Sequence, residues 1–189
     1  MALDSESRWR LVRKAKLKPS EPEGEVTIRA AGIADLGEVL EVYNFYVKNS
    51  AVTFDLEPMT LTEWREKFEW LEGLKLPFLV AVSASGQVLG FAYVAPWRAK
   101  AAYRRTVEDS IYLRPAAIGK RVGTKLLKAL LTAAKAAGVR EVVAVISDSG
   151  ADASIALHQS FGFKNQGHLA KVGFKFNRWL GTILLQKSL

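Results

Sequence analysis

Apolar residues in this chain recur first at helical spacing, then at strand spacing, then at the two in alternation. After a short extended run, Val26-Thr-Ile-Arg29, the positions Ile33, Leu36, Val39, Leu40, Tyr43 and Val47 share one face of a helix. Thr60 and Glu63 have capping-box spacing and open a second helix carrying Leu61, Trp64, Phe68 and Leu71. Phe78 to Val82 and Val88 to Val94, joined by the turn-forming stretch Ser83-Ala-Ser-Gly-Gln87, predict an antiparallel hairpin, and Val107 to Leu113 continues the sheet. A third helix follows from Leu126, Leu127, Leu130, Leu131 and Ala134. Glu141 to Ile146 is an almost continuous apolar run, as expected of a strand covered on both faces. A short helix from about Ala153 to Phe161 and a strand pair around Val172 to Leu185 close the chain.

Composition bounds what this order can do. With 189 residues, 49% of them hydrophobic, the chain suits one compact domain. There is no apolar stretch of membrane-spanning length and no apolar core of a secretory signal near the start, so a cytoplasmic protein is expected. The absence of cysteine removes thiolate nucleophiles, disulfides and thiolate metal sites, and His158 and His168 are too few for an imidazole metal centre. The net charge of +8 favours phosphorylated or otherwise anionic ligands. Part of it lies in Arg8, Arg10, Arg13, Lys14, Lys16 and Lys18, in a stretch punctuated by Pro and Glu. Residues 1–25 therefore read as a flexible basic tail ahead of a single domain at 26–189. Nucleic-acid binding ranks last, because no groove-reading helix or aromatic RNA motif accompanies the charge.

The most informative segment is Arg114 to Leu131. Pro115 stops the fourth strand, Gly119 and Gly123 permit unusual torsions and close approach, and Lys120 and Arg121 add positive charge just before the third helix. Free amides at such a helix start attract phosphate.

Several widely separated segments resemble the GNAT superfamily of acyl-CoA N-acyltransferases, and within it the phosphinothricin and methionine-sulfoximine acetyltransferase branch. They are VTFDLEP at 52–58, PWRAKAAYRRTVEDSIYL at 96–113, EVVAVIS at 141–147, ASIALHQSFGF at 153–163 and GHLAKVGFKFNRW at 167–179. The resemblance implies an α+β GNAT fold, with a mixed, mostly antiparallel sheet that splays between its fourth and fifth strands and is flanked by helices. It also implies acetyl transfer from acetyl-CoA to the primary amine of a small amino-acid-like molecule by direct attack, and permits a homodimer.

Such chemistry needs a base, a donor to polarise the thioester carbonyl and a hold on the diphosphate. By resemblance, Glu108 is the base and His158 assists proton movement or contacts the pantetheine arm. Glu108 also has a bland reading, an ion pair with Arg104 or Arg105. Asp109 alternates to the other strand face and is less suited to share the task. The carbonyl donor is a backbone N–H near Tyr112 and Leu113, and Gly119, Lys120, Arg121, Val122, Gly123 and Thr124 hold the diphosphate, with Ser154 beside the cofactor. Phe54, Lys100, Tyr103 and Lys175 fall on segments that the family uses around its acceptor.

Departures bear on the cofactor. The usual turn has Arg or Gln, two residues, Gly, one residue, then Gly or Ala; here the matching positions are Ile118, Arg121 and Gly123. If position 121 needs an unusual torsion, Arg121 carries a strain of about 1–3 kcal/mol. Its guanidinium can either pair with a phosphate or fill the slot. Ala151 stands for a common asparagine, Gly181 for an acidic residue, and Lys100 for an arginine. A catalytically weakened binding module is the alternative to an active transferase.

Overall fold

The computed structural model describes residues 24–189, so the expected basic tail lies almost wholly outside the described residues. In order, the elements are β1 (Thr27–Ala30), α1 (Leu36–Asn49), α2 (Leu61–Gly73), β2 (Phe78–Val82), β3 (Val88–Pro96), β4 (Thr106–Leu113), α3 (Val122–Ala136), β5 (Glu141–Ser147), α4 (Asp152–Ser160), β6 (Lys164–Lys175) and β7 (Arg178–Ser188). Short 3-10 turns lie at Ile33–Asp35, Ala101–Tyr103 and Pro115–Ala117. The first helix thus begins at Leu36, and Ile33 is exposed in the turn before it.

Local chemistry explains the boundaries. Thr60 and Glu63 cap α2 reciprocally: Glu63 N–H donates to Thr60 Oγ1 at 3.2 Å and Thr60 N–H to Glu63 Oε2 at 2.6 Å. The turn between β2 and β3 closes with Gly86 N–H donating to the Ser83 carbonyl, at a positive φ that suits glycine.

Seven strands form one sheet in the order β1-β2-β3-β4-β5-β7-β6, and only β4 and β5 pair in parallel. One face carries α1 and α2 over an aromatic layer of Trp64, Phe78, Phe91 and Tyr93. The other carries α3, whose Leu126, Leu127 and Leu130 are fully buried against Ala92, Val94, Val142 and Ala144. Each such leucine contributes about 1.5–3 kcal/mol. The closing strand pair is longer than its apolar pattern indicates. β6 starts at Lys164, and most of it is solvent-exposed because it is the edge strand.

Function depends on where the sheet parts. Parallel pairing of β4 with β5 ends at Asp109 opposite Ala144. β4 nevertheless stays paired with β3 up to Leu113, and β5 with β7 up to Ser147. Ser110 to Leu113 therefore face an opening on the side where β5 would otherwise lie.

Candidate active site

A cleft of about 220 Å³ fills that opening, lined by Tyr46 and Val52 at one end, Glu108 to Leu113 along β4, and Gly123, Ser154 and Leu157 at the other. Backbone direction along β4 follows from two bonds. Trp97 N–H donates to the Thr106 carbonyl, and Arg114 N–H to the Leu89 carbonyl, so even-numbered residues turn their peptide groups toward β3. The amides of Ile111 and Leu113 then face the opening. Tyr46 Oη donates to the Leu113 carbonyl at 2.6 Å and fixes that peptide's plane. Burial, only partly offset by this bond, raises the Tyr46 phenol's pKa, so it remains a donor.

The turn before α3 is built on a left-handed residue. Arg121 is the residue before α3 and sits in the left-handed region, φ 60° and ψ 11°, with an exposed side chain. It adopts the torsion for which glycine is usual. Its carbonyl accepts from Lys125 N–H, so the amides of Val122, Gly123 and Thr124 precede the first intrahelical bond. Gly119 also has a positive φ, of 81°. Gly123 serves a different need: a Cβ there would meet Leu157 Cδ2 at 3.3 Å and Leu113 Cδ1 at 3.4 Å, at the neck of the cleft. Arg114 steadies the turn from behind, with its guanidinium on the Val88 carbonyl and on Glu38 and Glu41.

Strand alternation sends neighbouring carboxylates to opposite layers. Glu108 faces the α1/α2 side, half-buried, and among the described residues it has no ion pair, with Arg104, Arg105 or any other cation, within 4.0 Å. Burial raises its pKa above the usual carboxylate value and the Asp109 charge adds to this, while Lys67 and Arg98 oppose it. Asp109 faces α4, where its Oδ2 lies 2.9 Å from His158 Nε2, both side chains being at most 2% exposed. His158 Nδ1 lies 2.7 Å from the Ser154 carbonyl and 3.4 Å from Ser154 Oγ. A carbonyl can only accept, so Nδ1 carries a proton. The pair is then either imidazolium with carboxylate or neutral imidazole with carboxylic acid. Burial works against the imidazolium, but the Asp109 bond and charge and the Ser154 carbonyl outweigh it, and the His158 pKa is raised. We take the first form.

The acceptor-side residues expected from sequence do not line the cleft. Phe54 packs its ring where a Cβ on Gly173 would lie. Lys175 is 4% exposed and donates to the Thr53 carbonyl at 2.9 Å; burial lowers its pKa against the pull of Asp55. Together they fasten the 51–58 loop to β6. Lys100 and Tyr103 are exposed around the 3-10 turn between β3 and β4. Tyr112 both lines the cleft and stacks on Phe91 with centroids 5.4 Å apart. At Gly181 the space of a side chain is filled by Asp148, which accepts the Gly181 N–H and pairs with His168. Ala151, buried, lines the cleft.

Sequence reading passed over Tyr46, Val52, Lys67 and Asp109 as site residues. Tyr46 had a signal, since it lies three positions after Tyr43 on the apolar face of α1.

The pattern of the family described as "Acetyltransferase (GNAT) family" matches residues 39–163. The chain belongs to the GNAT acetyltransferases. Among its relatives, the phosphinothricin N-acetyltransferase of Alcaligenes faecalis is 39% identical over 163 residues, which span 86% of this chain and 82% of the relative. The L-methionine sulfoximine/L-methionine sulfone acetyltransferase of Pseudomonas aeruginosa is 40% identical over 163 residues, 86% of this chain and 94% of the relative. A GNAT phosphinothricin acetyltransferase from Sinorhizobium meliloti, solved in complex with acetyl-CoA, superposes with TM-score 0.83 at 41% identity, covering 87% of this chain and 88% of that one. A GNAT sheet that parts between β4 and β5 is therefore the framework of the cleft.

Proposed function

We propose that this protein moves an acetyl group from acetyl-CoA to the primary amine of a small amino-acid-like acceptor of the phosphinothricin or methionine-sulfoximine kind. The observation that carries this reading is the cleft in the parted sheet, which joins the amide cradle at the start of α3 to the half-buried carboxylate of Glu108. The cradle suits the cofactor: Arg121 preserves the turn, and Gly123 keeps the neck open. Gly119, Lys120, Arg121, Val122, Gly123 and Thr124 would hold the diphosphate, with Ser154 beside the pantetheine arm. When bound, acetyl-CoA supplies the thioester carbonyl.

The chain's own groups do the rest. Glu108 accepts one proton from the acceptor's ammonium and the nitrogen keeps the electron pair with which it attacks; as the N–C bond forms the thioester C–S bond breaks, and the amine's second proton leaves with the thiol. The raised Glu108 pKa strengthens that base and costs it occupancy at acid pH. The Leu113 amide, which faces the opening next to the carbonyl that Tyr46 holds, supplies a preset donor for the thioester oxygen. His158, holding its proton on Asp109, serves as a fixed positive charge in the wall of the cleft rather than as a second base. The left-handed torsion and exposed side chain at Arg121 support the transferase reading over a binding module.

The test is thiol release from acetyl-CoA with a panel of primary amines. Turnover with methionine sulfoximine or phosphinothricin, above that with simple alkylamines, is expected; release with none of them, together with no acetyl-CoA binding, overturns the reading. We place the enzyme in the cytoplasm, where acetyl-CoA is available, and as a homodimer. Exposed Leu169, Val172, Phe174, Phe176 and Trp179 support the latter, Trp179 being 59% exposed beside Phe174. Sedimentation of wild type and Trp179→Lys checks it: dimer against monomer is expected, and a monomeric wild type refutes it.

A further inference from the structure

Lys67 is the unexplained cation of the acceptor side. Its usual partner on a helix surface would be Glu63, four residues earlier. That carboxylate is occupied in the cap, bonded to both the backbone and the hydroxyl of Thr60. Lys67 instead leans inward. Its Nζ donates to Tyr93 Oη at 2.7 Å and lies 4.5 Å from the centroid of the Tyr93 ring and 5.3 Å from that of Trp64. Among the described residues it has no carboxylate within 4.0 Å.

The register of the sheet relates this ammonium to Glu108. Tyr93 is opposite Ser110 and Ala95 is opposite Glu108, so all four side chains share the face under α1 and α2. Only the small Ala95 occupies the place beside Glu108 on β3. The charged groups acting on Glu108 are Asp109 on its own strand, Lys67 on α2 and Arg98 in the loop after β3; its neighbour on β5, Val143, is apolar. Of the two cations, Lys67 is half-buried and anchored on a core tyrosine, whereas Arg98 is exposed and lies over Trp97. Solvent screens the second far more than the first.

We propose that Lys67 is a positioning residue for proton transfer, its ammonium held on Tyr93 so as to keep Glu108 ionised without bridging it. A direct ion pair would occupy the carboxylate oxygens that the acceptor's ammonium must reach. A cation that acts on this face without an ion pair favours the charged carboxylate and leaves those oxygens open. This inference rests on Glu108 being the base.

Two measurements on the full chain test it. In the first, 13C carboxyl NMR titrates Glu108 in wild type, Lys67→Met, Lys67→Gln and Lys67→Arg, with the signal assigned by its loss in Glu108→Gln. The titration moves to higher pH in Lys67→Met and in Lys67→Gln, which keeps a donor for Tyr93, and returns in Lys67→Arg. In the second, kcat/KM for methionine sulfoximine is followed against pH at saturating acetyl-CoA. On the acid limb the two uncharged variants lose about threefold more than on the plateau. A Glu108 signal that does not move in either uncharged variant overturns the proposal. So does a rise in acceptor KM that is the same at every pH, which would make Lys67 an acceptor contact. A Glu108 titration that moves while the kinetic limb stays, or a limb that persists in Glu108→Gln, overturns it through the base assignment instead.

Discussion

Replacing Asp109 by alanine removes the counter-charge of a buried imidazolium, and the consequence depends on pH in a defined direction. Asp109 and His158 are at most 2% exposed, and His158 uses both ring nitrogens, on Asp109 and on the Ser154 carbonyl. Breaking a buried pair by deleting one partner costs about 3–5 kcal/mol, because the remaining charge is stranded. For a domain of this size that is about 6–20 °C in Tm. The folded His158 pKa is raised above that of the unfolded chain, so the pair's contribution is complete below about pH 6.5. It fades as pH rises through the folded value. Urea unfolding of wild type and Asp109→Ala at pH 5.5 and pH 9 therefore gives a large difference in acid and a smaller one in alkali. Asp109→Asn, which still offers an oxygen to Nε2, falls between. An equal loss at both pH values, or a loss below about 1 kcal/mol at pH 5.5, would falsify the imidazolium–carboxylate assignment.

Other substitutions separate the roles along the cleft. Glu108→Gln lowers kcat by about a hundredfold or more and leaves acetyl-CoA affinity within a factor of about two; a matching loss in cofactor affinity, measured by calorimetry, argues against a base. Because burial raises the Glu108 pKa, wild-type activity falls as pH drops through it, and a profile flat down to pH 4 contradicts that role. Gly123→Val overfills a neck where even a Cβ comes within 3.3 Å of Leu157, so acetyl-CoA binding weakens at least tenfold and stability drops by about 1–3 kcal/mol. Arg121→Gly relieves a left-handed torsion of about 1–2 kcal/mol but frees the unfolded chain by about 0.4–1 kcal/mol, so Tm rises slightly or stays. Its acetyl-CoA Kd rises a few-fold as an exposed cation near the diphosphate is lost; tighter binding would show that the guanidinium obstructs.

Legibility varied with how local each cause was. The leucines of α3 and the apolar run of β5 announce themselves, because burial on one helix face or on both strand faces leaves an unmistakable local pattern. Gly119 and Gly123 mark a turn and a close approach for the same reason. β6 hides its start because an exposed edge strand needs no alternation, and Lys164 to Gln166 carry no apolar side chain to mark it. The torsion at Arg121 is invisible in sequence, since it is imposed by the surrounding turn and not by the residue's own preference. Asp109 and His158 are separated by 49 positions, and Lys175 and Thr53 by 122. Alternation placed Asp109 on the far face of β4, but only the assembled layers show what waits there. Lys175 is a buried fastening of the loop that carries Phe54, a contact that spacing in sequence does not reveal.

Adjacent residues on β4 send their carboxylates to opposite sides of one cleft, Glu108 toward α1 and α2 and Asp109 toward His158 on α4. One peptide bond is the whole partition between them. Changes at exposed positions of α2 can therefore alter the Glu108 side without touching the Asp109–His158 pair, whereas changes at Tyr46, Glu38 or Glu41 of α1 reach Leu113 and Arg114 as well.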